Sequence, residues 1–302
     1  MKKIKCNLCG KDDSEVILRC HDRCFGISGE YNLVKCRACG LVYLNPQPQE
    51  NELSRHYPRD YDQFDVERRI FSQSSLYDTL RAAKRALIGV RPTIVADRAG
   101  DESKKKYLDF GCGGCENLAR VRKEHPAWDY FGLDISPWAY ESCKKHGFDI
   151  FLGSLEQAKY PDNFFDIVDM KGVLEHLPDP MASVREVYRI LKRGGSLQLS
   201  LPNINSLGFK VFKSYWFNLE CPRHLFLFSP ATLSAMLSET GFSVEYLRPE
   251  KNVKELISSV DYILGRGNAP IHPLVWHAVS PLAALIARLH KSGLMVTVAK
   301  KS

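Results

Sequence analysis

The sequence predicts an α/β fold, with a parallel sheet covered by helices on both faces and a small cysteine-rich head in front of it. Three observations lead there. From residue 107 onward, short apolar runs alternate with helix-period patterns. A glycine-rich turn, "GCGG" at 111–114, follows the first of those runs directly. The head carries two matching C-x-x-C-G turns, "CNLCG" at 6–10 and "CRACG" at 36–40.

Taken in order, residues 1–44 are rich in cysteine and short of helical periodicity. The Pro-, Asn- and Asp-punctuated stretch "NPQPQENELSRHYPRDYDQFD" then reads as a linker. Over 66–91, Phe71, Leu76, Leu80, Ala83, Leu87 and Ile88 share one helical face, and Arg91-Pro92 ends the run. Strands are predicted at 106–110, 129–134, 148–152, 164–169, 195–201, 242–247 and 294–299, and helices at 115–125, 137–146, 180–192 and 230–240. An aromatic-rich insertion spans 203–229, and a more helical one spans 252–291. The expected organisation is a head at 1–45, a linker and helix at 46–104, and the α/β domain at 105–302.

Composition narrows the class. Hydrophobic residues make up 44% and charged residues 25%, which is globular and allows a large core at 302 residues. The net charge of +7 is spread along the chain, so it permits nucleic acid without demanding it. "MKKIKCNLCGKDDSE" has basic residues but no apolar run behind them, which predicts a cytoplasmic chain with reduced thiols. Paired cysteines then point to metal before disulfide. The most apolar stretch, "PLVWHAVSPLAALIARL" (273–289), is broken by His277 and Pro281 and is not expected to span a membrane.

Each C-x-x-C-G turn puts two thiolates on one side of a bend. Cys6, Cys9, Cys36 and Cys39 together offer the tetrahedral sulfur set of structural zinc, with no open position for water. Between them, Cys20, His21 and Cys24 of "CHDRC" could replace a ligand or start a second site, which would still lack one ligand.

The glycine turn has two readings. Cys112 and Cys115 form a C-x-x-C, which would suit a metal or a redox pair. The same residues lie in a strand-to-helix bend, where small side chains fit. The third glycine of a dinucleotide G-x-G-x-x-G would fall at Glu116, and an acid beside a pyrophosphate disfavours NAD or FAD. The next predicted strand ends in Asp134, where a carboxylate can accept both ribose hydroxyls of an adenosine-type ligand.

"YLDFGCGG" (107–114), "GLDIS" (132–136), "FFDIVDMKGVLEHLPDP" (164–180) and "LKRGGSLQLSLPN" (191–203), in this order, resemble the motifs of class I S-adenosylmethionine-dependent methyltransferases. The resemblance covers about 105–245 and returns at "SGLMVTVAKK" (292–301), which looks like the family's reversed last strand. It implies a Rossmann-like sheet of seven strands, mostly parallel, with the last antiparallel. By the same resemblance Asp109, Gly111, Cys112 and Gly113 would hold the methionine end of S-adenosylmethionine. Asp134 would bind the ribose, Ile135 the adenine face, and Ser154 and Leu155 the adenine edge. Many family members have an acid where Ser154 stands, and Glu156 lies nearby. Lys171 would offer its backbone carbonyl to the cofactor's amino group. The head, with "LVYLNPQP" and "RHYPRDYDQF", resembles a bacterial subgroup that carries an N-terminal zinc-binding segment. That implies a small-molecule, sugar, glycan or lipid-like acceptor.

Methyl transfer to a hydroxyl is helped by a general base, and histidine suits neutral pH. His176 in "VLEHLPDP" and His224 in "PRHLFLFS" are the candidates. The structural alternatives are a loop hydrogen bond for His176 and a chain corner for His224. Arg223 could pair with an anionic acceptor, and Tyr57 and Tyr61 could close over the cofactor. Segment 252–291 is expected to pack on the sheet, with contact to a membrane surface as the alternative. Two rival functions stay open. One is an RNA methyltransferase gripping nucleic acid with the head, where Asp12, Asp13, Glu15, Asp22 and Glu30 oppose a phosphate contact. The other is a non-catalytic scaffold that keeps the cofactor site.

Overall fold

The computed structural model describes residues 1–57, 104–266 and 273–302. The helix expected over 66–91 and Tyr61 lie outside these residues. In the head, β1 (Ser14–Cys20), β2 (Tyr31–Cys36) and β3 (Val42–Leu44) run antiparallel, followed by the short α1 (Glu50–Leu53).

The α/β part follows the predicted alternation. Its elements are β4 (Lys106–Phe110), α2 (Glu116–Glu124), β5 (Asp129–Asp134), α3 (Pro137–Lys145), β6 (Ile150–Leu152), α4 (Leu155–Ala158), β7 (Phe165–Lys171), α5 (Pro180–Ile190) and β8 (Leu191–Pro202). Then come α6 (Leu207–Phe212), β9 (Phe226–Leu227), α7 (Pro230–Glu239), β10 (Phe242–Glu250), α8 (Val253–Ile263), α9 (Pro273–Arg288) and β11 (Leu294–Lys301). Seven strands form one sheet in the order β10-β11-β8-β7-β4-β5-β6. β4 to β8 are parallel, and β11 runs antiparallel to both β8 and β10, as the resemblance implies. The central strands read as apolar runs because helices cover both faces.

Three helices start with the same local chemistry. Ser136-Pro137, Asp179-Pro180 and Ser229-Pro230 each place a side-chain oxygen on a backbone N–H inside the first turn, with proline where no N–H is needed. Several predicted boundaries move by one to four residues, and two of the shifts have a visible cause. α3 exits through Gly147, and Phe148 N still bonds Cys143 O, so β6 opens at 150 and not 148. α5 stops at Ile190, whose carbonyl accepts from Phe164 N, and β8 absorbs Gly194 and Gly195 in a register shift opposite Phe165–Ile167.

The head does not stand apart. β9, from the first insertion, pairs with β3 and completes a four-stranded sheet, with Tyr43 stacked on Phe226. Leu33, Leu44, Phe226, Leu197 and Val187 belong to one continuous buried core. Burying each such side chain contributes about 1.5–3 kcal/mol, so removing the head would uncover the insertion.

Candidate functional site

The bend after β4 depends on its glycines. Gly111 has φ 74°, and a Cβ there would stand 2.4 Å from Val173 Cγ2. Gly111 N and Cys112 N donate to Leu133 O at 2.7 and 3.2 Å, which ties the bend to the tip of β5. Gly113 N donates to Asp134 Oδ2 and Ser136 N to Asp134 Oδ1, each at 2.9 Å. The Asp134 carboxylate is thus turned toward the glycine bend. Burial raises its pKa, against the pull of these amides. Beside it, the apolar side chain of Ile135 is 75% exposed.

Asp109, at the other side of the bend, is buried, and its Oδ2 finds no hydrogen-bond partner among the described residues. Burial first, and then the charge of Asp169, push its pKa up to about 7. Below it, Tyr107 Oη donates to Asp169 Oδ2 at 2.8 Å and accepts from Asn117 Nδ2 at 2.7 Å. Lys171 Nζ bonds Asp169 Oδ2 and Asn117 Oδ1, both at 2.8 Å. Its ammonium is thus committed to a buried carboxylate. Sequence reasoning missed Tyr107, Asn117 and Asp169. The available signal was an acid inside the apolar run "FDIVDM". Ser154 caps α4 in a reciprocal pair with Gln157, and the Leu155 side chain is buried, so Leu155 has its backbone to offer a ligand.

Cys112 and Cys115 are not joined to each other. Cys115 forms a disulfide with Cys143 of α3, against the expectation of reduced thiols. α2 and α3 start from neighbouring strand tips, which brings residues 28 apart into contact. Cys112 is buried beside them, where a Cβ on Gly132 would meet its sulfur at 3.1 Å.

His176 and His224 form one unit, with ring centroids 4.6 Å apart and planes at 74°. His176 Nδ1 lies 3.1 Å from Arg223 O and 3.0 Å from Tyr57 Oη. His224 Nδ1 lies 2.9 Å from Asn218 O. Carbonyls only accept, so both rings carry their proton on Nδ1 and keep Nε2 as the basic nitrogen. Burial, and then His224, hold the His176 pKa down to about 3. Burial also lowers that of His224, against the charge of Glu220, whose Oε2 stands 3.4 Å from Nε2. Glu175 is buried, with its pKa pushed up to about 8 by burial. Ligand atoms of Glu175, His176 and His224 lie within 4.8 Å of one another, a spacing that could hold a metal ion. A cation there would first displace the Glu175 proton at neutral pH.

Arg223 does not reach toward an acceptor. Its side chain is fully buried and bonds both oxygens of Asp22 at 2.8 and 3.1 Å, Glu220 Oε1 at 3.2 Å and His56 O at 3.0 Å. A guanidinium this deep in the core must be satisfied internally, so the expectation of an anion contact is withdrawn. Arg223 instead clamps the insertion to the head.

In the head, Cys6 and Cys39 sulfurs are 3.4 Å apart and Cys9 and Cys36 sulfurs 3.6 Å, and all four lie within 4.8 Å of one another. The two turns are copies. Gly10 N bonds Cys6 O and Gly40 N bonds Cys36 O, with φ 72° and 80°. Cys20 faces Cys221 at 2.8 Å, and His21 is turned to Gly29 O. Among the described residues Cys20, His21 and Cys24 form no metal cluster.

Residues 80–247, more than half of the chain, match the family described as a methyltransferase domain. The ubiquinone biosynthesis O-methyltransferase of Proteus mirabilis (strain HI4320) is 32% identical over 141 residues, which cover 43% of this chain and 52% of that protein. A demethylmenaquinone methyltransferase of Anoxybacillus flavithermus (strain DSM 21510 / WK1) is 30% identical over 128 residues, 39% of this chain and 53% of that protein. The chain thus spans about half the length of these curated relatives. Among solved structures, a SAM-dependent methyltransferase from Archaeoglobus fulgidus superposes with a TM-score of 0.51 at 21% identity, covering 80% of this chain and 100% of that one. At that identity the likeness is one of fold.

Proposed function

The chain belongs to the methyltransferase domain family, and on that premise we propose that it transfers a methyl group from S-adenosylmethionine to a small-molecule acceptor. The observation that carries this reading is the pair of carboxylates flanking one glycine bend, Asp134 turned onto Gly113 and Asp109 with a buried oxygen unpartnered among the described residues. The cofactor, when bound, supplies an electrophilic methyl on a sulfonium. Asp134 accepts from the ribose hydroxyls. Asp109 takes the amino-acid ammonium, which would satisfy its orphaned oxygen, and Gly111, Cys112 and Gly113 let the backbone approach that end. Ile135 covers the adenine, Ser154 and Leu155 meet its edge, and Lys171 offers its carbonyl.

His176 and His224 are the candidate bases. Both Nε2 atoms are unprotonated at neutral pH, so either can accept the acceptor's hydroxyl proton as the new bond to carbon forms. A quinone-type ring, as in the names of the two relatives, fits this chemistry, as do the sugar and glycan hydroxyls expected from the sequence. The zinc reading of the head is also ours. A tetrahedron with metal–sulfur bonds of about 2.3 Å has edges of about 3.8 Å, close to the observed sulfur separations. Zinc at Cys6, Cys9, Cys36 and Cys39 would be structural, and the division into 1–45, 46–104 and 105–302 goes with it.

Titration calorimetry with S-adenosylhomocysteine tests the core of the proposal. Binding is expected in the full chain, and Asp134→Ala should abolish it. A folded wild-type chain that takes up no ligand at millimolar concentration would end the reading.

A further inference from the structure

We infer that α8 and α9 form a surface that seats this chain on an anionic lipid bilayer. The inference deepens the proposed function, since it supplies a route to a lipid-dissolved acceptor, and it rests on that reading for its purpose but not for its test.

α9 is apolar on two faces. Ala283 and Ile286 face the body of the protein and are buried. On the adjoining stripe, Leu282, Leu285 and Leu289 are 54%, 53% and 60% exposed, and Val275 and Trp276 stand out near the helix start. The neighbouring α8, which packs on α9, repeats the pattern. Its inner side buries Val253, Glu255, Ser259 and Tyr262, while Val260, Ile263 and Leu264, at helical spacing, face outward. Isolated exposed leucines need no explanation, but two adjacent helices each showing an apolar stripe do.

Charge selects the occupant. Residues 273–302 contain no Asp or Glu, while Arg288, His290 and Lys291 follow the apolar stripe and His277 lies within α9. Arg266, just past α8, is largely exposed and 3.7 Å from Asp261. An apolar stripe with a basic border matches a surface of anionic headgroups, with a tryptophan at the boundary. A second copy of the chain fits less well, because a symmetric pairing through this stripe would bring like charges together. No described helix is long and apolar enough to cross a membrane, so the helices lie on the bilayer.

The surface is hydrogen-bonded to the insertion before β9. Glu255, buried in α8, accepts from Trp216 Nε1 at 2.6 Å and from Gly293 N at 3.0 Å. Ser259 Oγ accepts from Phe217 N at 2.9 Å. Trp216 and Phe217 lie in the insertion that carries His224, so two hydrogen bonds tie α8 to that insertion.

The test is co-sedimentation of the full chain with vesicles of phosphatidylcholine alone or mixed with phosphatidylglycerol, without cofactor. Partition into the mixed vesicles is expected. Leu282→Asp with Leu285→Asp should weaken it by about tenfold or more, and Arg288→Ala and Lys291→Ala by about fivefold each. S-adenosylhomocysteine titration of the same exposed-site variants should match wild type, which shows that they fold and keeps a failure here separate from a failure of the methyl-transfer reading. No partition of the wild type, equal partition of the variants, or a dimer dissolved by Leu282→Asp in a chain that ignores vesicles would each overturn the inference.

Discussion

Asp109→Asn should remove most of the pH dependence of S-adenosylhomocysteine binding. In the free protein the Asp109 pKa stands at about 7, raised by burial and by Asp169. Below that pH the group is a neutral acid, and it must lose its proton before it can pair with the ligand's ammonium. Affinity therefore rises with pH and saturates above 7. With a pKa near 7, about 3% of the groups are ionised at pH 5.5 and about 75% at pH 7.5, a ratio of about 25-fold or about 1.9 kcal/mol. Calorimetry across this range should show that gain in the wild type, with close to one proton released per ligand at pH 6 in buffers of different ionisation enthalpy. The Asp109→Asn protein should bind weakly with a nearly flat profile. If the wild type is flat, Asp109 does not meet the ammonium. If the variant keeps the slope, another group titrates, and Asp134, also raised by burial, is the first to examine.

Asp22→Ala removes the two-oxygen partner of buried Arg223 and leaves Glu220 as its remaining carboxylate, so it should cost about 3 kcal/mol in urea unfolding, while Asp22→Leu with Arg223→Met should recover most of that. Atomic emission should find about one zinc per chain, and Cys9→Ser or a chelator should lower the thermal midpoint. Cys143→Ser should reduce stability by about 3–4 kcal/mol in oxidising buffer, from the 28-residue separation of the Cys115 pair, with much less effect under reductant. Because the His176 pKa sits at about 3, His176→Gln should lower kcat without shifting any acid limb of the rate profile between pH 5.5 and 8.

The parts of this chain that were legible in its sequence are those governed by local pattern. The strands from 106 to 171 show as apolar runs, the three helix starts show as Ser-Pro or Asp-Pro, and Gly111 stands where a Cβ would strike Val173. The C-x-x-C-G turns were legible because each is closed by its own backbone bonds. What stayed hidden depends on residues far apart in the chain. Arg223 looked like an anion ligand because Glu220, three residues before it, is only one of its carboxylate partners, and the one that takes both ends of the guanidinium, Asp22, is 201 residues away. His176 and His224 looked like rivals, yet the loop after β7 and the corner before β9 bring their rings into contact. Cys143 carries no signature of its pairing with Cys115, which follows only from the adjacency of β4 and β5.

These long-range ties also bear on what the head is for. A metal site that merely stabilised a separate module could be cut away with it. Here β9 hydrogen-bonds to β3, and Arg223 spans from the insertion to Asp22 in the head. Asp22 is held in turn by His56 at 2.8 Å, and burial, which alone would raise its pKa, is outweighed by Arg223 and His56 so that the carboxylate stays ionised. Arg223 O then meets His176 Nδ1, and the next residue in the chain is His224. Cys36 and Cys39 sit at the turn that joins β2 to β3, and their sulfurs meet those of Cys9 and Cys6 from the turn ahead of β1, so losing them would loosen this path from its far end. Chelation should therefore reduce kcat more than it weakens S-adenosylhomocysteine binding, because the residues proposed to hold the cofactor, on β4 and β5, lie in the other sheet. Equal losses of both would mean that the head supports the whole fold and not the acceptor side.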